Sequence, residues 1–146
     1  MSDPRYDALK LENQLCFPLY ACARTVIKQY KPFLDELDLT YTQYITMMVL
    51  WERTSLTAKE LGDILFLDSG TLTPLLKKLE SKGLLTRRRA VLDERSLIVT
   101  VTEAGMALRE RAVTVPERMA ACSTLSPADG AELSRILRSM LGREPR

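Results

Sequence analysis

The chain has 146 residues, of which 46% are hydrophobic and 27% charged, and its net charge is +2. This length suits one domain, and no apolar run approaches the roughly 18 residues of a membrane span, so no membrane partner is expected. Histidine is absent, which excludes Ser-His and Cys-His catalysis and imidazole metal sites, so we expect neither a metal nor a cofactor. Three cysteines behind a polar N-terminal segment predict free thiols in the cytoplasm.

A long amphipathic helix is predicted near the N-terminus, over about residues 10–31. Pro18 is expected to bend this helix, and Pro32 with residues 35–38 to end it. The apolar positions recur at helical spacing and are Leu11, Leu15, Leu19, Cys22, Val26 and Tyr30.

The two cysteines of this predicted helix differ in position. Cys22 lies within the apolar stripe and is expected to be a small buried hydrophobic residue. Cys16 lies off the stripe, with Tyr20 one turn later. The pattern therefore separates the Cys16 thiol from the packed face.

Two further helices are predicted before the middle of the chain. One opens at Thr40, and its inward positions are Ile45, Met48, Val49 and Trp51. Thr57 and Glu60 have the spacing of a capping box, which opens a short helix with an inward face of Leu61, Ile64 and Leu65. A turn over residues 66–68 leads into the next helix, as in a helix-turn-helix.

The helix after this turn, within residues 67–83, carries most of the functional prediction. Asp68 is the expected N-cap, Gly83 the expected stop, and the inward stripe is Leu72, Leu75, Leu76 and Leu79. The opposite face has no carboxylate and carries Gly70, Thr71, Thr73, Pro74, Lys77, Lys78 and Ser81. An ordinary surface helix fits this pattern, but so does a helix that reads base edges in the DNA major groove and places lysines on phosphates.

A basic β-hairpin is predicted next, with strands over residues 84–91 and 97–101. Residues 77–95 hold seven basic and three acidic side chains, a net charge of +4. Helix, turn, helix and basic hairpin in this order predict a winged helix-turn-helix over residues 41–101, in a mainly α-helical fold with a small β-hairpin. The residues expected to bind DNA in this part are Ser69, Gly70, Thr71, Thr73, Lys77, Lys78 and Arg88.

Apolar helices are predicted after the hairpin as well. Thr102 caps the first, which Pro116 should kink, and its inward positions are Leu108, Ala112, Val115 and Met119. Cys122 falls near its end. Ser126 and Pro127 open the last helix, whose apolar face is Leu133, Ile136, Leu137, Met140 and Leu141. Apolar helices on both sides of the core, over 9–32 and 103–142, predict a homodimer interface within a single domain of residues 1–146.

With helices on both sides of a winged core, the chain resembles the MarR family of regulators over nearly its full length. Asp93-x-Arg95 matches the wing signature of that family, in which the arginine reaches the minor groove. Residues 11–17 read Leu-Glu-Asn-Gln-Leu-Cys-Phe, and residues 67–76 read Leu-Asp-Ser-Gly-Thr-Leu-Thr-Pro-Leu-Leu. These stretches, with Tyr20 and Tyr30, resemble the organic-hydroperoxide-sensing repressors of the family.

The resemblance implies a homodimeric repressor on a pseudo-palindromic DNA operator, released when an organic hydroperoxide oxidises Cys16. It implies that Tyr20 and Tyr30 hydrogen-bond the reactive cysteine, with Tyr41 near the sensor, and that Asp93 and Arg95 belong to the DNA-binding wing. It also implies a two-cysteine subclass in which a cysteine of the later region, from the other subunit, forms a disulfide with the sensor.

Spacing tests part of this expectation. Cys16 and Tyr30 are fourteen residues apart, which on one continuous helix is about 21 Å. A contact between them therefore requires a second chain. As the second thiol, Cys122 is a better candidate than Cys22, because Cys22 lies six residues from Cys16 on the same helix and points about 120° away.

Three alternatives stay open at this point. Oxidised Cys16 can instead form a mixed disulfide with a small cellular thiol, without Cys122. The chain can be a MarR-type repressor that senses a phenolic ligand at the dimer interface. It can also be an enzyme, a thiol peroxidase that uses Cys16, although the missing histidine argues against catalysis.

Overall fold

The computed structural model describes residues 3–142 of the chain. This range contains seven α-helices, two short 3₁₀ helices and three strands. The remaining residues of the predicted 1–146 domain, 1–2 and 143–146, lie outside the described part. In chain order the elements are α1 (Cys16–Asp35), α2 (Tyr41–Arg53), β1 (Ser55–Thr57), α3 (Ala58–Leu65), α4 (Ser69–Ser81), β2 (Leu85–Arg89), β3 (Leu97–Val101), α5 (Glu103–Ala112), α6 (Val115–Ala121) and α7 (Pro127–Met140).

The helix-turn-helix of α3 and α4 begins and ends as the sequence predicts. The Asp68 side chain accepts a hydrogen bond from the Thr71 amide at 2.8 Å, and Thr57 and Glu60 form the reciprocal capping box of α3. Gly83 follows α4 with φ +75°, a left-handed conformation that glycine adopts without steric cost. Local capping chemistry therefore fixes the bounds of both helices.

The core lies between α4 and the helices and sheet around it. The predicted stripe of Leu72, Leu75, Leu76 and Leu79 is buried, and it packs with Leu34, Met47, Leu50, Leu61, Leu85, Val99, Leu108 and Val115. On α2 the inward face is centred on Tyr44, Met47 and Leu50. Met48 is 44% exposed, so its predicted inward position is wrong, because the buried face of α2 lies one residue earlier in the helical period.

The predicted hairpin is part of a three-stranded antiparallel sheet in the order β1-β3-β2. Strand β1 has three residues and pairs Leu56 with Val99 of β3. The Ser55 and Thr100 hydroxyls lie 2.8 Å apart across this pair. Three residues are too few to show a strand period, so β1 could not be predicted from the sequence pattern.

The predicted N-terminal helix over residues 10–31 is displaced. Two 3₁₀ helices come first, over Pro4–Leu9 and Leu11–Asn13. Helix α1 begins only at Cys16 and continues through Pro32 to Asp35. Pro18 is the third residue of α1, where a missing N–H breaks no helical hydrogen bond. Pro18 therefore lies in the first turn of α1 and does not bend its middle. Pro32 lies in the last turn and does not end the helix.

The helices after the sheet follow the predicted order. Thr102 caps α5 by accepting a hydrogen bond from the Gly105 amide at 3.0 Å. The chain breaks into α5 and α6 near Pro116, the second residue of α6, which confirms the predicted kink. Ser126 caps α7 by accepting a hydrogen bond from the Asp129 amide at 3.1 Å.

Helices α1 and α7 leave apolar side chains uncovered. Within residues 3–142, α7 has no buried residue, and Leu133, Ile136 and Met140 are exposed. Cys22 is also exposed, against the prediction that it is buried, because its face of α1 is uncovered among the described residues 3–142. No helix in the described range is long and apolar enough to cross a membrane.

Replacing Gly62 by alanine tests how closely α3 and α4 are joined. A Cβ at Gly62 would lie 2.8 Å from the Leu67 carbonyl oxygen, whereas a Cβ at Gly130 of α7 meets nothing within 4 Å. We expect Gly62→Ala to lower the free energy of unfolding by about 1–3 kcal/mol through overpacking. Gly130→Ala, as the matched control, should be neutral or stabilising by up to about 1 kcal/mol. Urea unfolding at one fixed protein concentration measures both, and equal midpoints would contradict the expectation.

Candidate functional site

Cys16 is exposed and is the first residue of α1. Backbone amides in the first turn of a helix lack helical partners, and the helix dipole is positive there, so an anion is favoured. A thiolate is the form of cysteine that attacks electrophiles. The start of α1 therefore suits a reactive thiol. The predicted helix began near residue 10, so this placement of Cys16 was missed. Pro18 could have indicated it, because proline is common in the first turn of a helix.

Tyr20 lies one turn after Cys16 on α1. Its hydroxyl oxygen accepts a hydrogen bond from Arg24 at 3.1 Å, and the Arg24 guanidinium lies 5.5 Å from the centre of the ring. A phenol that accepts this bond keeps its own hydrogen to donate. Tyr20 therefore presents a donor on the exposed N-terminal half of α1.

A cluster of aromatic rings joins the C-terminal half of α1 to the start of α2. The Tyr30 ring lies 5.0 Å from that of Tyr41 and 5.8 Å from that of Tyr44, and Tyr44 lies 6.3 Å from Trp51. Burial raises the pKa of both Tyr30 and Tyr44, and neighbouring tyrosines of the cluster raise it further. These phenols keep their protons and remain hydrogen-bond donors. Tyr44 was not among the predicted sensor residues, although it lies one turn after Tyr41.

The continuous helix α1 separates Cys16 from the aromatic cluster of its own chain. Both Cys16 and Tyr30 lie within Cys16–Asp35, fourteen residues apart, or about 21 Å along the axis. The structure therefore brings Tyr30 and Tyr41 together, but not Cys16 with Tyr30. Any contact between the thiol and the Tyr30 phenol has to come from a second chain.

Cys122 caps the C-terminal end of α6 and is exposed. Arg118, one turn earlier, forms two hydrogen bonds to the Glu36 carboxylate at 2.8 and 3.0 Å and lies 4.2 Å from the Phe33 ring centre. Glu36 is the main cause of the raised pKa of Arg118, and attraction to the Cys122 sulfur adds to it. Arg118 was not among the predicted site residues, although its spacing of four residues places it one helical turn before Cys122.

The predicted DNA-binding residues of α4 all lie on its outer face. They are exposed and are Ser69, Gly70, Thr71, Thr73, Lys77 and Lys78. The leucine stripe holds the other face of α4 in the core. The helix therefore presents small residues at its start and two lysines in its second half.

Ion pairs and side-chain hydrogen bonds sort the basic residues of the segment 77–95 into two groups. Arg87 is paired with Glu80 at 3.0 Å, Lys82 with Asp38 at 3.4 Å, and Arg89 donates to a backbone carbonyl of the wing at 3.3 Å. Within residues 3–142, the remaining basic side chains make no ion pair, and these are Lys77, Lys78, Arg88 and Arg95. The uncompensated positive charge is thus concentrated on α4 and the wing.

Glu80 fixes the base of the wing to α4. Its carboxylate accepts hydrogen bonds from the Arg87 amide at 2.9 Å and from the Arg87 side chain at 3.0 Å, which holds the pKa of Glu80 below its usual value. At the tip, Asp93 accepts a hydrogen bond from the Arg95 amide at 3.0 Å. The Asp93 carboxylate is therefore engaged within the turn and orients the backbone before Arg95.

Comparison with known proteins shows to which class of protein this chain belongs. Residues 28–112 match the family described as transcriptional regulator SarA/Rot. The structure of a mutant of Escherichia coli MarR with operator DNA superposes with a TM-score of 0.79 at 24% identity, covering 96% of this chain and 99% of the other, and shows the shared fold. The class is that of winged helix-turn-helix transcriptional regulators.

The particular family follows from relatives of higher identity. The organic hydroperoxide resistance transcriptional regulator of Bacillus subtilis (strain 168) is 49% identical over 137 residues, which are 94% of this chain and 93% of that protein. Reduced AbfR bound to DNA is 33% identical, with a TM-score of 0.79 and 94% of each chain covered. Disulfide-formed AbfR is 35% identical, with a TM-score of 0.65, covering 94% of this chain and 96% of the other. AbfR is a protein of Staphylococcus epidermidis. This chain therefore belongs to the MarR family, within its organic hydroperoxide resistance regulators.

The aromatic cluster makes stability depend on pH in the alkaline range. Because the pKa of Tyr30 and Tyr44 is raised in the folded chain, stability is fully present below the unfolded tyrosine pKa of about 10 and falls as the pH rises through the folded values. We expect Tyr30→Phe to lose less stability than the wild type between pH 8 and about pH 11. Urea unfolding at both pH values measures this, and the comparison at pH 8 isolates the change in packing. Parallel losses in the two proteins would show that Tyr30 does not contribute.

Proposed function

We propose that this chain is a homodimeric transcriptional repressor that leaves its DNA operator when an organic hydroperoxide oxidises Cys16. One observation carries the proposal: an exposed cysteine at the start of α1 lies in the same chain as a winged helix whose uncompensated cations face outward. The Bacillus subtilis relative is an organic hydroperoxide resistance regulator, and AbfR has been solved on DNA and in a disulfide form.

DNA binding is assigned to α4 and the wing. The small residues at the start of α4 can approach base edges in the major groove, while Lys77 and Lys78 meet phosphates. Arg88 extends this contact along β2, and Arg95 enters the minor groove with Asp93 orienting its turn. Each neutralised phosphate releases counterions, so affinity falls steeply with salt. The operator is a pseudo-palindrome because a two-fold dimer presents two copies of α4 about one DNA turn apart.

Homodimer formation is supported by the uncovered apolar faces of α1 and α7. Exposed apolar side chains on both helices need a covering surface, and a second copy supplies the same faces by symmetry. The proposed contact between Cys16 and Tyr30 also needs two chains, because about 21 Å separates these residues within one chain. The dimer therefore completes both the packing and the sensor.

The sensing step is a displacement at the peroxide O–O bond. The Cys16 thiolate attacks one peroxide oxygen, the O–O bond breaks, and the alkoxide leaving group takes a proton to become an alcohol. The sulfur is oxidised to a sulfenic acid and the peroxide is reduced. Tyr20 of the same chain, with Tyr30 and Tyr41 of the second copy, supplies phenol donors that stabilise the thiolate.

The second step forms an inter-subunit disulfide between Cys16 and Cys122. The Cys122 thiolate attacks the sulfenic sulfur, and hydroxide leaves and is protonated to water. Cys122 is exposed at the C-terminal end of α6, where the thiol of a second chain can reach it. The disulfide-formed structure of AbfR supports a disulfide as the oxidised state. A covalent bond between subunits can supply the roughly 5.5 kcal/mol that a nearly complete change in DNA-bound population needs.

Replacing Cys16 by serine tests the proposal. We expect Cys16→Ser to bind operator DNA with wild-type affinity and to stay bound in organic hydroperoxide, because serine offers no oxidisable sulfur. Fluorescence anisotropy of a labelled operator measures both states. Cys22→Ser is the matched control on the same helix and should be released like the wild type.

Three results would contradict this proposal. Normal release of Cys16→Ser, with dissociation by a phenolic compound, indicates a ligand-sensing repressor. Sustained hydroperoxide turnover with a thiol reductant and no DNA indicates a thiol peroxidase. Loss of operator binding in Cys16→Ser shows that the cysteine serves the fold instead of the sensor.

Replacing Cys122 by serine tests the resolving step. Cys122→Ser should still lose its alkylatable Cys16 thiol in hydroperoxide, but it should form no covalent dimer on a non-reducing gel, because the second sulfur is missing. A covalent dimer that persists in this variant identifies Cys22 as the resolving residue. Release of Cys122→Ser only when a small thiol is added indicates the one-cysteine mechanism.

A further inference from the structure

Lys82, directly after α4, uses its ammonium group to hold the loop between α1 and α2. The ammonium donates to the Asp38 carbonyl oxygen and to the Gln43 amide oxygen at 3.2 Å, and it lies 3.4 Å from the Asp38 carboxylate. Two hydrogen bonds and one ion pair therefore engage this ammonium within the protein. Lys82 is thus committed to the protein, unlike the outward-facing Lys77 and Lys78.

The acceptors lie in the turn after α1 and in the first turn of α2. Gln43 is 4% exposed, and its amide oxygen also accepts from the Thr40 amide at 3.1 Å, within the capping box that begins this helix. Asp38 has φ 54°, a left-handed conformation that few residues other than glycine adopt, at the turn that ends α1. Lys82 therefore holds the two residues that define how the chain passes from α1 into α2.

The start of α2 also carries one candidate sensor tyrosine, which lies against a second on α1. Tyr41 is the first residue of α2, next to Thr40 of the capping box, and its ring lies 5.0 Å from that of Tyr30 on α1. Tyr41 and Gln43 lie in the same first turn of α2, so a displacement of this turn with Tyr41 also displaces a residue that Lys82 binds. On its other side, the Lys82 amide donates to the Lys78 carbonyl at 3.1 Å, so the residue is fixed to the end of α4.

We propose that Lys82 is a positioning residue that transmits movement of the Tyr30–Tyr41 pair to the DNA-reading helix α4. This inference rests on the proposed function. The Asp38 side chain is 91% exposed, so its ion pair with Lys82 contributes little to stability. What the two hydrogen bonds and the ion pair of this one ammonium group supply is a fixed position of α4 relative to the start of α2. Oxidation that shifts the start of α2 then shifts α4 with it.

Paired lysine variants separate coupling from DNA contact. Lys82→Met and Lys78→Met each remove one positive charge from the end of α4. Lys82→Met should keep the operator affinity and salt slope of the reduced wild type, but the ratio of oxidised to reduced Kd should fall at least tenfold. Lys78→Met should keep the wild-type ratio, and its salt slope should fall by about one. Lys82→Arg, which retains the charge and the donors, should restore at least part of the ratio.

The measurements are anisotropy titrations at several salt concentrations, with Cys16 oxidation followed by loss of thiol alkylation. Gln43→Met provides a second route to the same test if Lys82→Met is unstable, because it removes an acceptor and leaves every charge of α4 in place. It should lower the ratio as well.

Two results overturn the inference alone. One is a wild-type release ratio in both Lys82→Met and Gln43→Met. The other is a reduced salt slope in Lys82→Met, which would make Lys82 a phosphate contact. A wild type that stays bound to the operator after its Cys16 is oxidised overturns the proposed function, and the inference with it.

Discussion

The unbroken helix α1 sets the main constraint on this molecule. It begins at Cys16 and carries Tyr30 fourteen residues later, so a thiol and a phenol that act together have to come from different chains. The uncovered apolar faces of α1 and α7 lead to the same requirement through the hydrophobic effect. In the proposed dimer, sensing and dimer formation therefore depend on one surface, and each chain contributes one half to each of two sensors.

Below this interface, the winged core is held by local chemistry and by burial. Asp68, Thr57 and Gly83 set the ends of α3 and α4, and the leucine stripe of α4 fixes which face points outward. Because that stripe is enclosed, rotating α4 about its own axis would expose leucine and bury lysine. Movement of α4 relative to DNA is therefore a movement of the helix as a rigid body, which is the kind of motion that a contact at its end, such as Lys82, transmits.

The features that could be predicted from the sequence are those that depend on residues close to one another along the chain. Helical spacing identified the stripe of α4, and cap residues identified its ends, because both effects act within a few residues. Contacts between distant residues were not accessible in this way. The ion pair of Arg118 with Glu36, the short strand β1 and the bonds of Lys82 to Asp38 depend on tertiary packing. The start of α1 was misplaced because leucines at helical spacing continue into residues that form 3₁₀ turns.

The pairing of Glu80 with Arg87 bears on which operators the protein can accept. It joins the C-terminal part of α4 to strand β2 through both backbone and side-chain hydrogen bonds. Helix α4, proposed to enter the major groove, and the wing, proposed to reach the neighbouring minor groove, are then held at one separation. DNA whose minor groove is narrow at that distance meets both at once, whereas other DNA has to deform. We therefore expect groove shape to contribute to the choice of operator, including at base pairs that no side chain contacts.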